Sequence, residues 1–265
     1  IPGKTMPTVT VVERDYPRLR NGNGWGTTIF AADVDGDGDT DFLVGNAGTN
    51  LQFSASVDEP VQLFAGDFNE DGTLDPILCY YIQGKSYPMA SRDELLDQMT
   101  SLRKKFITYA DYANATIKDI APAALLEKAY RLDAYRLESV WIENTGEDFK
   151  IHVLPDVAQF SSINGFLFDD FDGDGTPEIL AAGNFYPYKP QLGRCDASTG
   201  VILKYDGKGG LTTEVKSRAW LTGDIRGMAL VRSSNGSRQV VVSRNDDRAG
   251  VFHVNPRSVE QTARK

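Results

Sequence analysis

The sequence is poor in the residues that usually announce chemistry. Its 265 positions hold two histidines and two cysteines, and no stretch approaches eighteen consecutive apolar residues. The missing apolar run excludes a membrane-spanning helix, and no basic-then-apolar leader opens the chain. The opening IPGKTM has no initiator methionine and reads as a processed or trimmed end. Cys79 and Cys195 allow one disulfide at most, and without a CxxC pair a zinc ribbon or redox motif is excluded. Cys79, in the apolar run PILCYY, reads as a buried free thiol. His152 and His253 fall in short alternating segments, FKIHV and GVFHV, and read as strand residues. Nucleophile-elbow, HExxH, Walker and dinucleotide patterns are all missing. Excess base is missing too: a net charge of −9 argues against nucleic acid as a partner.

What is present is ordinary globular composition, 41% hydrophobic and 25% charged, with an unusual concentration of acid. Three nine-residue segments carry it: DVDGDGDTD (33–41), DFNEDGTLD (67–75) and DFDGDGTPE (170–178). They hold five, four and four of the 37 acidic residues and no Lys or Arg. All three fit D-x-[DN]-x-D-G-x-x-[DE], between an apolar run before (TTIFAA, VQLFAG, GFLFD) and another after (FLVGN, PILCYY, ILAAGN). The unit reads as strand, acidic loop, strand. A degenerate fourth copy, MALVRSSNGSRQVVVSRN, sets Asn235-Gly236 on the Asp-Gly step and Gln239 on the final acid. Val231 and Ser233 replace its first two ligand positions, so a hairpin without a metal site is expected there.

Like charges this close repel, and only a counter-ion makes such a loop tolerable. A hard cation taking six to eight oxygens supplies one, and calcium is the expected ion, at about three sites. The first loop offers Asp33, Asp35, Asp37 and Asp41 with the carbonyl of Asp39; the second Asp67, Asn69, Asp71 and Asp75 with the carbonyl of Thr73. The third offers Asp170, Asp172, Asp174 and Glu178 with the carbonyl of Thr176. Gly38, Gly72 and Gly175 fall where the chain reverses and a side chain is expected to clash. An EF-hand is excluded, because its twelfth position needs a bidentate Glu and here is Val44, Leu78 or Ala181.

Between the second and third loops lies the one strongly helical region, residues 85–136. SRDELLDQMTSLRKKF opens with Ser91 and Glu94 in capping-box spacing and puts Leu95, Met99, Leu102 and Phe106 on one face. PAALLEKAYRLDAY predicts a second helix, with Pro122 in its first turn. The 17 residues NFYPYKPQLGRCDASTG (184–200) mix Tyr186, Tyr188, Arg194 and Asp196 among Pro and Gly, a composition suited to protein or glycan contact. YYIQGKSYP (80–88) is a second candidate for that face.

The strand, D-x-D-x-D-G-x-x-D loop and strand resemble the FG-GAP/VCBS repeat, the blade unit of integrin α-type β-propellers. GWGTTIFAADVDGDGDTDFLVGN, DPILCYYIQGKSYPMASRDELLDQM and GRCDASTG are similar to large bacterial surface proteins whose propellers accompany an ASPIC/UnbV-type region. The resemblance implies an all-β fold over residues 1–265, about four β-propeller blades interrupted by the helical insertion, as part of a larger propeller or closed on itself. It also implies an extracellular or cell-surface location, with exposed sheet edges open to further blades or to self-association. The functional expectation is a non-enzymatic interaction or adhesion scaffold. The alternative is a propeller domain of a polysaccharide-acting enzyme whose catalytic carboxylates carry no sequence signature.

Overall fold

The computed structural model describes residues 16–189, 192–213 and 219–255. The chain is mostly β, in four antiparallel sheets. The first contains β1 (Thr28–Ala32), β2 (Asp41–Gly45), β7 (Val140–Asn144) and β8 (Phe149–Val153), in that order. The second runs β5 (Lys85–Pro88), β4 (Asp75–Ile82), β3 (Val61–Gly66), β6 (Tyr130–Ala134). The third is β9 (Gly165–Asp169), β10 (Glu178–Ala182), β11 (Val201–Tyr205), β12 (Leu211–Thr212), and the fourth β13 (Ile225–Arg232), β14 (Arg238–Arg244), β15 (Gly250–His253). No helix among the described residues is long and apolar enough to cross a membrane.

Each acidic segment closes a hairpin, β1 to β2, β3 to β4 and β9 to β10. In all three the last acid faces the residue just before the first aspartate: Ala32 opposite Asp41, Gly66 opposite Asp75, Asp169 opposite Glu178. The fourth copy does form a hairpin, β13 to β14, but in a different register. Its ladder continues through Val231 opposite Gln239 and Arg232 opposite Arg238. Without acids to hold apart, backbone pairing runs further and leaves only a tight turn around Asn235-Gly236, where Gly236 has φ +83°.

The second sheet is nested inside the first. The chain leaves β2, builds β3, β4, β5, a helical run and β6, and only then returns to complete the first sheet with β7 and β8.

Helix occupies less of the 85–136 segment than the periodicity predicts. β5 and β6 form its ends, and between them lie α1 (Arg92–Gln98), a 3-10 turn (Thr100–Lys104), α2 (Tyr109–Tyr112), α3 (Ile117–Ile120) and α4 (Ala123–Leu126). The Ser91–Glu94 capping box is formed, with Ser91 N donating to Glu94 Oε2 at 2.7 Å. The expected long helix breaks at Met99, whose non-helical backbone (φ −124°, ψ 84°) starts the 3-10 turn. Leu95, Met99 and Phe106 still reach one apolar cluster, with Leu102 packed beside it, so burial survives the break. Pro122 is the N-cap of α4 (ψ 140°) and not a first-turn residue; the helix ends four residues later because RLDA is taken up by β6.

Two cores stack the first, third and fourth sheets in series. Leu43, Trp141, Phe166, Ile179 and Leu203 join the first to the third, and Leu167, Leu180, Ile225, Val240 and Val242 join the third to the fourth. Side chains such as Leu43 and Trp141, fully buried, each contribute about 2–3 kcal/mol of apolar burial. Cys79 is buried and Cys195 half-buried, and both are free thiols. His152 is a half-buried strand residue stacked on Trp141 (4.5 Å between centroids), and His253 is an exposed one.

Candidate metal centre

The three loops share one hydrogen-bond scaffold. The glycine N–H at position six donates to the first aspartate: Gly38 to Asp33 (3.1 Å), Gly72 to Asp67 (2.9 Å), Gly175 to Asp170 (3.1 Å). The N–H at position seven donates to the carboxylate at position five: Asp39 to Asp37, Thr73 to Asp71 and Thr176 to Asp174, each at 2.8 Å. Position five donates to position three: Asp37 to Asp35 (3.2 Å), Asp71 to Asn69 (3.1 Å), Asp174 to Asp172 (3.0 Å). Short acidic side chains are the residues that fold a loop onto itself this way.

The ninth acid is a brace. It is buried in every loop, Asp41 at 0%, Asp75 at 1% and Glu178 at 3% exposure. Each accepts the N–H at position two: Val34 to Asp41 (3.1 Å), Phe68 to Asp75 (3.1 Å), Phe171 to Glu178 (2.8 Å). Asp41 also accepts from Asn144 N (2.8 Å), locking β7 against the loop.

The glycines at position six are required by conformation and not by space. Gly38, Gly72 and Gly175 have φ of +97°, +85° and +90°, yet an added Cβ would meet nothing within 4 Å. The expected clash is absent, and left-handed backbone is the constraint. Position four is left-handed as well: Gly36 and Gly173 hold φ +80° and +83°, whereas the second loop puts Glu70 there at +60°.

Three donors in the first loop, Asp33, Asp35 and Asp37, and four in the third, Asp170, Asp172, Asp174 and Glu178, have carboxylate oxygens within 4.8 Å of one another. Asp41 is not in that first group; its oxygens face the backbone. The second loop holds Asp67, Asn69 and Asp71 in the same hydrogen-bonded turn, with Asn69 Nδ2 donating to Asp71 Oδ2 at 2.9 Å. The donor set fits a hard cation, because it is all oxygen and mostly anionic. In the third loop the buried Glu178 Oε1 makes no hydrogen bond within the turn; its one neighbour of opposite charge is the Lys204 ammonium at 3.3 Å. Asp35 is pushed above the usual carboxylate range by burial first; the Asp37 amide opposes this, and the charges of Asp37, Asp41 and Glu143 add to it. That crowding is what a bound cation would relieve.

The loop after β10 forms a cleft. A cavity of about 200 Å³ is lined by Trp25, Leu51, Phe185, Tyr188 and Cys195, and an adjoining one of about 270 Å³ by Asn50, Gln52, Tyr188, Arg194 and Asp196. The Tyr188 hydroxyl is buried without a hydrogen-bond partner. Tyr186 reaches the cleft only through Arg194, whose guanidinium lies 4.8 Å over its ring. Asn184 anchors the loop, donating to Ser198 O and Gly223 O at 3.0 Å each. The 80–88 segment does not line the cleft, but Lys189 donates to Met89 O beside it (3.0 Å). Two features escape the motif: the bracing role of the ninth acid and the contribution of Trp25 and Leu51. The brace was visible as the invariable acid opening each second strand, whereas nothing in the sequence brings Trp25 to Tyr188.

Comparison with protein-family models, curated proteins and solved structures returns no match.

Proposed function

We propose that the chain is a calcium-binding β-propeller portion of the FG-GAP/VCBS type, from an extracellular or cell-surface protein, and that it acts as a non-enzymatic interaction scaffold. The observation that carries this reading is the shared loop scaffold: three separated segments hold the same four-bond turn, and in the first and third the carboxylate oxygens converge within 4.8 Å. Four antiparallel sheets, three of them stacked in series, suit blades of a propeller of about four or more. Asp33, Asp35, Asp37 and the equivalent residues of the other two loops would hold the ions, with the ninth acid bracing the turn. Calcium supplies charge neutralisation and stiffness to the hairpins.

The Tyr188–Arg194–Asp196 cleft is the proposed contact surface, for a protein or glycan partner. An apolar floor with one unpartnered hydroxyl and a charged rim suits a ligand with a flat apolar face and polar edges. A glycan array probed in calcium and in chelator, with Y188A as control, tests it. Calcium-dependent binding lost in Y188A supports the scaffold. Turnover of a bound glycan would favour a polysaccharide-acting enzyme instead.

A further inference from the structure

The three loops differ in what faces them across the sheet. Continuing the register of β2 with β7 sets Asp41 opposite Glu143, and that of β10 with β11 sets Glu178 opposite Lys204. The same structural position therefore carries an anion beside the first loop and a cation beside the third. Glu143 is matched by groups on the far side, His152 at 2.5 Å and Lys150 at 3.4 Å, both on β8. No Lys or Arg among the described residues forms an ion pair with the carboxylates of the first or second loop.

Lys204 is placed differently. Its ammonium donates to Asp174 Oδ2 and lies 3.3 Å from Glu178 Oε1 and 4.0 Å from Asp172 Oδ2. These are three of the four carboxylates that cluster in the third loop. A second cationic group closes the same loop from behind: Arg232 (2.6 Å) and Arg238 (3.0 Å), both from the degenerate hairpin, pair with Asp169, and Arg238 also donates to the Asp170 carbonyl.

We propose that Lys204 is a tethered counter-ion of the third loop, competing with calcium for its carboxylates, so that the loops form two classes of site. This rests on the calcium reading above and adds to it an order of filling. The first and second loops fill first; the third fills only when the Lys204 side chain swings out toward solvent. An ammonium displaced to about 6 Å from a divalent ion still weakens binding about tenfold even at the dielectric constant of water.

The test is calcium calorimetry on the whole chain, comparing wild type with K204M and K204Q and with K128M as a control for net charge. The expected wild-type isotherm has two classes of site, and both Lys204 variants raise the affinity of the weaker class about tenfold, an effect removed by adding D174A and absent in K128M. Unchanged weak-site affinity in both variants, with binding at the other loops intact, overturns the role of Lys204 alone. No calcium binding by any of the proteins overturns the calcium reading as well.

Discussion

Lys189 Nζ lies 2.9 Å from Glu94 Oε2, joining the loop that lines the cleft to the capping box of α1, 95 residues earlier in the sequence. The same carboxylate accepts from Ser91 N, so one acid caps a helix and anchors a loop. The Lys189 hydrogen bond, followed by that of Ser91, holds Glu94 down to about 2. A depressed carboxylate contributes stability that is fully present above its ordinary value of 4.5 and is lost as pH falls through about 2. K189M is expected to cost about 0.5–1 kcal/mol at pH 7, a small figure because Glu94 is 40% exposed. Urea melts from pH 7 to pH 2 check this: the gap between wild type and variant should narrow progressively below pH 4.5, and a gap as wide at pH 2 as at pH 7 contradicts it.

Bracing acids and ion-facing acids should behave differently once calcium is removed. D41A strands the buried amide of Val34 and the half-buried amide of Asn144 and is expected to cost about 2–4 kcal/mol even in chelator. D33A, whose partners Gly36 and Gly38 are exposed, is expected to cost under about 1 kcal/mol in chelator but to lose its share of the calcium-dependent gain. Thermal melts of both variants with and without calcium separate the two roles.

Backbone strain distinguishes the second loop. Glu70 occupies a left-handed position that the other two loops give to glycine. E70G is therefore expected to stabilise by about 0.5–1 kcal/mol, and G72A to destabilise by about 1–2 kcal/mol although nothing crowds the new methyl. Denaturant midpoints of the two variants should move in opposite directions.

Much of this was legible in the sequence. The acidic nonamer between two apolar runs specifies its hairpin because the loop chemistry is local: the four bonds that shape each turn reach at most seven residues along the chain. The capping box at Ser91 and Glu94 was legible for the same reason. Strand partnership was not. That β2 pairs with β7, nearly a hundred residues on, depends on which sheet β3 joins, and the nearly continuous apolar runs of β3 and β10 carry no mark of their neighbours. The Pro122 segment was misread because RLDA has a helical composition, yet β3 offers it a free edge. Lys204 stands outside the motif entirely, since only the β10–β11 register brings it to Glu178.

The central claim, that these loops are calcium sites that stiffen the hairpins, is tested most directly by titrating calcium into chelator-stripped protein by calorimetry, with a melt at each end point. Sites with Kd near ~10⁻⁴ M in ~10⁻³ M calcium each add about 1.4 kcal/mol. Binding at two or three sites between micromolar and millimolar, with a rise of several degrees in melting temperature, is the predicted result. No binding heat and no thermal shift would contradict it.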